Sequence, residues 1–150
     1  MSWQLAQLNI ARRRYALDDA NMEDFVDGLD PVNALAESSD GFIWRLQTEA
    51  GDATGLVIYD DPSFIVNISV WSSREALLDF VRSEGHMAIM KRRREWFERP
   101  NQPYQVLWWV HEHHQPTVEE AEERLNRLRK YGATEHAFSA REYFPSPSSP

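Results

Sequence analysis

The strand-like segments of this chain carry large apolar side chains on both of their faces. The clearest strand spans residues 64–71, where Phe64, Val66, Ile68 and Val70 alternate with Ile65, Asn67, Ser69 and Trp71. An antiparallel sheet with one wet face alternates apolar and polar residues, and this segment does not. Both faces of any sheet that contains it must therefore be covered.

Segments with strand periodicity alternate with segments of helical periodicity. Strands are predicted at residues 3–10, 42–48, 64–71 and 104–110, with short additional strands at 56–59 and 137–144. Helices are predicted over 22–36, with a kink or two abutting helices near Asp30, and over 76–98, with a break at Gly85. A last helix ends at Gly132, and Ser72 with Glu75 and Thr117 with Glu120 form predicted capping boxes.

The order β-α-β-β-α-β predicts an α+β protein with a ferredoxin-like antiparallel sheet, helices on one face and an added C-terminal helix. The 150 residues suit one domain, which we place at residues 1–144. The tail at 145–150 consists of Pro and Ser and is predicted to be disordered.

The second apolar face of that sheet predicts a homodimer, because two identical sheets can pack face to face under two-fold symmetry. The alternative is that the C-terminal helix and tail cover this face within one chain.

Composition excludes several classes of function. The net charge of −8 argues against nucleic-acid binding, and the lack of cysteine excludes disulfides, thiolate catalysis and zinc-thiolate sites. No run approaches the roughly 18 apolar residues of a membrane span, and no signal peptide is recognised. We therefore expect a cytoplasmic protein without membrane partners.

Several sequence blocks together resemble the bacterial family called domain of unknown function 3291. The blocks are WQLAQLNI (3–10), DPVNALAE (30–37), GFIWRL (41–46), NISVW (67–71), RRREWF (92–97), VLWWV (106–110) and PTVEEAEERL (116–125). This resemblance implies membership of the dimeric α+β barrel superfamily. That superfamily includes antibiotic-biosynthesis monooxygenases, haem-degrading monooxygenases, isomerases and stress-response barrels. Their pockets lie between sheet and helices or inside the barrel mouth, so both positions remain open.

Asn67 and Trp71 share one strand face, with Ser69 between them. This pattern resembles the Asn and Trp of the superfamily's anthrone-oxidising monooxygenases, which react an aromatic substrate with oxygen without a cofactor. An amide can hold a developing enolate oxygen while an indole provides a stacking wall. The alternative is structural: a dimer-core Trp and a buried, hydrogen-bonded Asn.

His86 opens a helical stripe that continues through Met90, Arg93 and Phe97. A histidine there can act as a general base or bind haem iron, although a solvent-facing or capping role competes with both. Asn9 matches the early-strand Asn of the haem-degrading relatives. However, Phe80 falls where they carry Trp and Met90 where they carry the ligating His, so no haem cofactor is predicted.

Two further clusters are weaker candidates. The basic runs at residues 12–14 and 91–94 fit a solvated face, although one Arg can reach a carboxylate or phenolate ligand. The run His111-Glu112-His113-His114 lacks a separated set of ligands, so no metal site is predicted.

Together these patterns predict a homodimer that binds a small aromatic or otherwise apolar ligand. Asn67, Trp71 and His86 are the candidate catalytic residues. The predicted substrate-binding residues are Asn9, Trp44, Ser69, Arg93 and Trp108. The predicted reaction is monooxygenase-like or isomerase-like and needs no cofactor. A non-catalytic ligand-binding or stress-related dimer is the alternative, and haem binding through His86 ranks below both.

Overall fold

The sheet has the topology that the order of segments predicts. The computed structural model describes residues 3–48 and 55–147. Within them, four strands form one antiparallel sheet in the order β2-β3-β1-β4: β1 (Trp3–Arg12), β2 (Phe42–Arg45), β3 (Phe64–Trp71) and β4 (Gln105–His111). Because β3 is antiparallel to both β1 and β2, those two strands run parallel with β3 between them. This arrangement is the split β-α-β unit of a ferredoxin-like fold.

The helices occupy the predicted connections. They are α1 (Glu23–Glu37) between β1 and β2, α2 (Arg74–Val81), α3 (Glu84–Met90) and α4 (Arg93–Trp96) between β3 and β4, and α5 (Val118–Tyr131) after β4. The predicted α+β class and ferredoxin-like topology are thus confirmed, with a C-terminal helix added.

Several local predictions are wrong in detail. Helix α1 runs through Pro31 as one element, where a kink or two helices were predicted. The cap of α2 is Ser73, whose hydroxyl accepts from the Ala76 N–H, and not Ser72. The break before α3 comes at Arg82 and Ser83, whereas Gly85 lies inside that helix.

Two predicted short strands do not form. Residues 56–59 contribute only an isolated bridge at Ile58, and residues 137–144 contribute bridges at Ala137 and Phe138. The Phe138 backbone exchanges two hydrogen bonds with Leu107 (2.8 and 2.9 Å), which fixes the C-terminal segment against β4. Residues 145–147 have no regular secondary structure, and the rest of the predicted disordered tail, 148–150, lies outside the described residues.

Strand register aligns alternate residues of neighbouring strands on common faces. Leu8 pairs with Ile68 on one side and with Val106 on the other. Since side chains alternate along a strand, these three point to the same face. Asn9 pairs with Asn67 and therefore lies with it on the opposite face.

One face, which we call the closed face, is covered by α5. The core of this face consists of apolar, almost fully buried residues at even-numbered positions of β1, β3 and β4: Ala6, Leu8, Ile10, Val66, Ile68, Val70, Val106, Trp108 and Val110. They pack with the α5 residues Ala121, Leu125 and Leu128. The Thr117 hydroxyl caps α5 by accepting from the Glu120 N–H. The predicted homodimer depended on an uncovered apolar face. In the structure α5 covers the closed face within one chain, as the alternative to dimerisation proposed for the C-terminal helix.

The other face, which we call the cavity face, is covered by α1 to α4 and by the C-terminal segment. At one end Leu5, Trp71 and Leu107 pack with Leu77 and Phe138. A second cluster joins α1 and α4 through Phe25, Met22, Trp96 and Phe97. Between these two clusters the helices do not fill the space above the sheet.

Candidate ligand cavity between sheet and helices

A cavity of about 180 Å³ lies where the cavity face meets α1 and α3. Strands β1 and β3 form its floor, and apolar side chains such as Leu29, Ile65 and Ile89 form much of its walls. A buried space of about 150 Å³ can hold a benzene ring, so this cavity is large enough for a ring-sized ligand.

Two glycines allow α1 and α3 to lie close together beside this cavity. A Cβ added at Gly28 would come within 2.8 Å of Ile89 Cδ1, and one at Gly85 within 2.8 Å of Leu35 Cδ2. These separations are shorter than van der Waals contact, so larger residues would push the helices or side chains apart. The close crossing places the neighbouring His86 in the cavity wall.

The cavity floor carries a hydrogen-bonded polar network. The buried Gln7 amide nitrogen, Nε2, donates to Asn67 Oδ1 and to Ser69 Oγ, the latter at 2.8 Å. The indole Nε1 of Trp71 also donates to Ser69 Oγ, at 2.9 Å. Because Gln7 occupies the Asn67 carbonyl, the Asn67 Nδ2 group is the donor that a ligand oxygen can meet.

Gln7 is the functional candidate that the sequence reasoning missed. It lies on β1 opposite Ser69, one residue pair away from the Asn9–Asn67 pair. The sequence did contain a sign of this network, since polar residues occur at alternate positions of both strands: Gln7 and Asn9 in β1, and Asn67 and Ser69 in β3. Sequence alone did not show that the strands pair in a register that joins those residues.

His86 is held in a defined orientation at the cavity wall. Its Nδ1 lies 3.0 Å from the Val81 carbonyl oxygen, and its ring contacts Phe80 with the centroids 5.0 Å apart. A carbonyl can only accept, so Nδ1 carries the proton and, in the neutral ring, Nε2 is the acceptor. Burial lowers the pKa of His86, and the bond to Val81 only partly offsets this effect.

Trp71 provides a flat wall next to this histidine. The indole is almost fully buried and stacks on Phe80, with the ring centroids 5.2 Å and the planes 25° apart. Phe80 thus contacts both Trp71 and His86. These contacts hold the two ring systems in place at the cavity.

The ionisable groups of the cavity lining are basic. Arg45, His86 and Arg93 line the cavity, and no Asp or Glu does so among the residues that the structure describes. Arg45 is mostly buried and lies 3.7 Å from the Glu37 carboxylate. Arg93 donates to the Tyr104 hydroxyl at 3.2 Å and stacks over its ring.

Most of the predicted site residues meet at this one cavity. They are Asn9, Asn67, Ser69, Trp71, His86 and Arg93. The predicted substrate-binding residues Trp44 and Trp108 do not line the cavity. Trp44 packs against the closed-face core, and Trp108 is buried in it and donates to the Glu120 carboxylate at 2.9 Å. Trp108 pairs with Ala6 and Trp44 with Val70, and both of those partners belong to the closed face.

The histidine-rich loop after β4 does not gather its side chains. His111 stacks on Trp3, His114 lies 2.6 Å from Glu120, and the His113 side chain is 90% exposed. Within residues 3–48 and 55–147 no three His, Cys, Asp or Glu side chains are grouped as a metal site would require. The same residues include no helix with the length and apolarity needed to cross a bilayer.

Fold and cavity together define an α+β protein of ferredoxin-like topology with a small, basic-lined space between its sheet and its helices. The chain belongs to the family described as Domain of unknown function (DUF3291), whose model matches residues 4–150. The resemblance read from the sequence blocks is thereby confirmed. A comparison with proteins of curated function finds no match.

Several solved structures resemble this chain at low sequence identity. Protein SO0527 from Shewanella oneidensis is 11% identical, with a TM-score of 0.51 over 75% of this chain and 93% of its own. SnoaB, a cofactor-independent oxygenase from Streptomyces nogalater, is 14% identical, with a TM-score of 0.49 over 75% and 95%. Rv0793 from Mycobacterium tuberculosis is 14% identical, with a TM-score of 0.48 over 76% and 99%. The likeness to SO0527 concerns the fold alone, and the two lower scores carry no further conclusion.

Proposed function

We propose that the cavity binds a small aromatic or enolisable ligand and that the protein removes an acidic proton from it without a cofactor. The observation that supports this proposal is the position of Asn67, Trp71 and His86 around one cavity. These residues supply a hydrogen-bond donor, a flat apolar surface and a base, which together suit proton abstraction next to a carbonyl or phenol.

His86 is the proposed general base. Its lowered pKa keeps the ring neutral at pH 7. The bond from Nδ1 to the Val81 carbonyl leaves Nε2 as the unprotonated nitrogen. A neutral imidazole can accept a proton from a C–H or O–H group within hydrogen-bond reach. The lining of apolar residues reduces solvation of the charges that form in this step.

Asn67 is the proposed partner for the negative oxygen that remains. Gln7 holds its carbonyl, so the Asn67 Nδ2 group can donate to an enolate or phenolate oxygen. Trp71, fixed by Ser69 and Phe80, offers a flat surface for the ring of the ligand. Gln7 and Ser69 act as positioning residues in this scheme.

The carbanion or enolate then has two cofactor-free fates. In the monooxygenase-like course, a CH₂ group and O₂ give a C=O group and water. In the isomerase-like course, the proton returns to a different carbon of the same ligand. The geometry supports the shared first step and favours neither fate.

Proton exchange into a model ketone tests the proposal. The two-ring ketone 2-tetralone, incubated in D₂O under nitrogen, should lose its C1 proton signal in NMR faster with the protein than without it. His86→Gln should abolish the acceleration, and Asn67→Ala should reduce it by about 10²-fold or more, as for loss of an oxyanion donor. His113→Gln, which changes a 90% exposed histidine, is the matched control.

Equal exchange by the wild-type protein and His86→Gln would contradict the proposal. Binding of 2-tetralone without any exchange would favour the non-catalytic ligand-binding alternative. Repeating the incubation in air with an oxygen electrode distinguishes the two fates, since only the monooxygenase-like course consumes oxygen.

We also propose that the protein is a cytoplasmic homodimer. The closed face no longer supports a dimer, because α5 already covers it. Support for the dimer comes instead from the superfamily that the sequence resembles. A dimer must then use another surface, such as the edge of β2, where the Ile43 side chain is exposed. Light scattering tests the assembly, since one chain has a mass of 17.5 kDa, and cell fractionation tests the location.

A further inference from the structure

A second pocket adjoins the cavity and has a different chemical character. It has a volume of about 340 Å³ and shares two wall residues, Arg93 and Phe97, with the cavity. Its polar lining consists of Arg14, Arg93, Arg94, Arg99, Tyr104 and one carboxylate, Glu98. We call it the arginine pocket.

The arginine pocket is unusual in a chain of net charge −8. Some of the other arginines form ion pairs, as Arg12 does with Asp61 and Arg92 with Asp24 and Glu95. Within the described residues, no carboxylate oxygen lies within 4.0 Å of a side-chain nitrogen of the four arginines around this pocket. Unpaired guanidinium groups that converge on one pocket are suited to bind an anion.

Two of these groups are held in place by the protein. Arg93 donates to the Tyr104 hydroxyl at 3.2 Å, and its guanidinium carbon lies 4.8 Å from the ring centroid. The Tyr104 hydroxyl thus keeps its own proton for a further acceptor. The Nε of Arg14 donates to the Phe97 carbonyl at 3.1 Å, which leaves its two terminal nitrogens for a ligand.

We propose that the natural ligand is an amphipathic anion, with an aromatic or apolar body in the cavity and a carboxylate or phosphate group in the arginine pocket. Arg93, which lines both spaces, marks the boundary between the two parts of the ligand. This inference rests on the proposed function for the apolar part and adds the charged part. It assigns Arg14, Arg94 and Arg99, on which the proposed proton transfer does not depend, to ligand binding.

Three naphthalene compounds test this inference by isothermal titration calorimetry at pH 7: neutral 2-naphthol, 2-naphthoate and 2-naphthyl phosphate. At least one of the two anions should bind about tenfold more tightly than 2-naphthol, the ratio expected from the lower range of a hydrogen bond to a charged group. Which anion binds more tightly identifies the charged group. Added salt should reduce the preference.

Variants then locate the preference. Arg94→Gln and, separately, Arg99→Gln change exposed residues that line the arginine pocket but not the cavity. Each should lower the affinity for the preferred anion while binding of 2-naphthol is retained, which also shows that the variants are folded. Arg92→Gln is the matched control, because it removes the same charge from the same segment. Arg92 pairs with Asp24 and Glu95 and does not line the arginine pocket.

The possible outcomes separate the two proposals. Equal binding of all three compounds would overturn the anion inference alone and leave the apolar cavity intact. Binding of none would overturn it together with the proposed function. An anion preference that Arg92→Gln reduces as much as Arg99→Gln does would also overturn it, because general charge would then be its cause.

Discussion

The two faces of the sheet are built from the same strands but from residues of opposite parity. On the closed face, Leu8, Ile68 and Val106 lie side by side and are fully buried beneath α5. One step along the strands, on the cavity face, Gln7 lies beside Ser69 and Asn9 beside Asn67. A single period-two alternation therefore separates a dry core from a polar floor.

This difference indicates how a small protein can hold polar groups inside without losing its fold. The closed face buries apolar area continuously, and each fully buried aliphatic side chain contributes about 1.5–3 kcal/mol. The cavity face instead satisfies its polar groups by hydrogen bonds between Gln7, Asn67 and Ser69. We therefore expect the closed face to lose stability when apolar area is removed, and the cavity face to lose it when the buried donor of the Gln7 network is removed.

The largest expected effect is on the closed face. Trp108→Ala removes a fully buried indole and leaves its partner Glu120 without that bond, so the free energy of unfolding should fall by about 3–5 kcal/mol. Urea unfolding followed by circular dichroism measures this change. Asn67→Ala, at an exposed position on the cavity face, should change stability by no more than about 0.5 kcal/mol. Equal losses in the two variants would remove the distinction between the faces.

The same substitution, Gln to Leu, can be made on either face of β1 and so compares the two faces directly. Gln7→Leu removes the donor that the Asn67 and Ser69 oxygens share, while Ser69 keeps its bond from Trp71. The loss should cost about 0.5–1.5 kcal/mol, the net contribution of an internal hydrogen bond. Gln4 has the opposite parity, and its side-chain carbonyl oxygen is buried without a partner among the described residues. Gln4→Leu should therefore be neutral or stabilising, and an equal loss in both variants would contradict the proposed network. The same urea titrations provide the measurement.

Sequence periodicity was sufficient to predict the topology and most of the cavity. The alternation in residues 64–71 placed Asn67, Ser69 and Trp71 on one face, and helical spacing placed His86 and Arg93 on one stripe. The relation within the strand is local, whereas the predicted stripe is divided in the structure between α3, which holds His86, and α4, which holds Arg93. The structure then brings the strand and the stripe together at one cavity.

Relations between distant elements were not predictable in the same way. Alternation defines two sets of strand residues but does not state which set meets which helix, so Trp44 and Trp108 were placed with the wrong set. The covering of the closed face depends on the return of α5 across β4, and the Gln7 network depends on strand register. Each of these needs the three-dimensional pairing of segments far apart in sequence.

The smallest expected effect is a pH dependence that originates on the cavity face. Because burial lowers the pKa of His86 below its ordinary value of about 6.5, the unfolded chain takes up a proton at this residue before the folded chain does. Stability is then greatest above about pH 6.5 and falls as the pH decreases towards the lowered pKa. The rate of proton exchange into 2-tetralone should also fall as the pH decreases, since a protonated His86 cannot act as a base.

Urea unfolding and NMR exchange at several pH values, in the wild-type protein and His86→Gln, isolate this residue from the other titrating groups. His86→Gln should show a smaller loss of stability on acidification, whereas Trp108→Ala should lower stability without removing that slope. An identical pH dependence in wild type and His86→Gln would mean that the buried imidazole does not titrate differently in the two states, and the assignment of His86 as a neutral base would then lose its physical support.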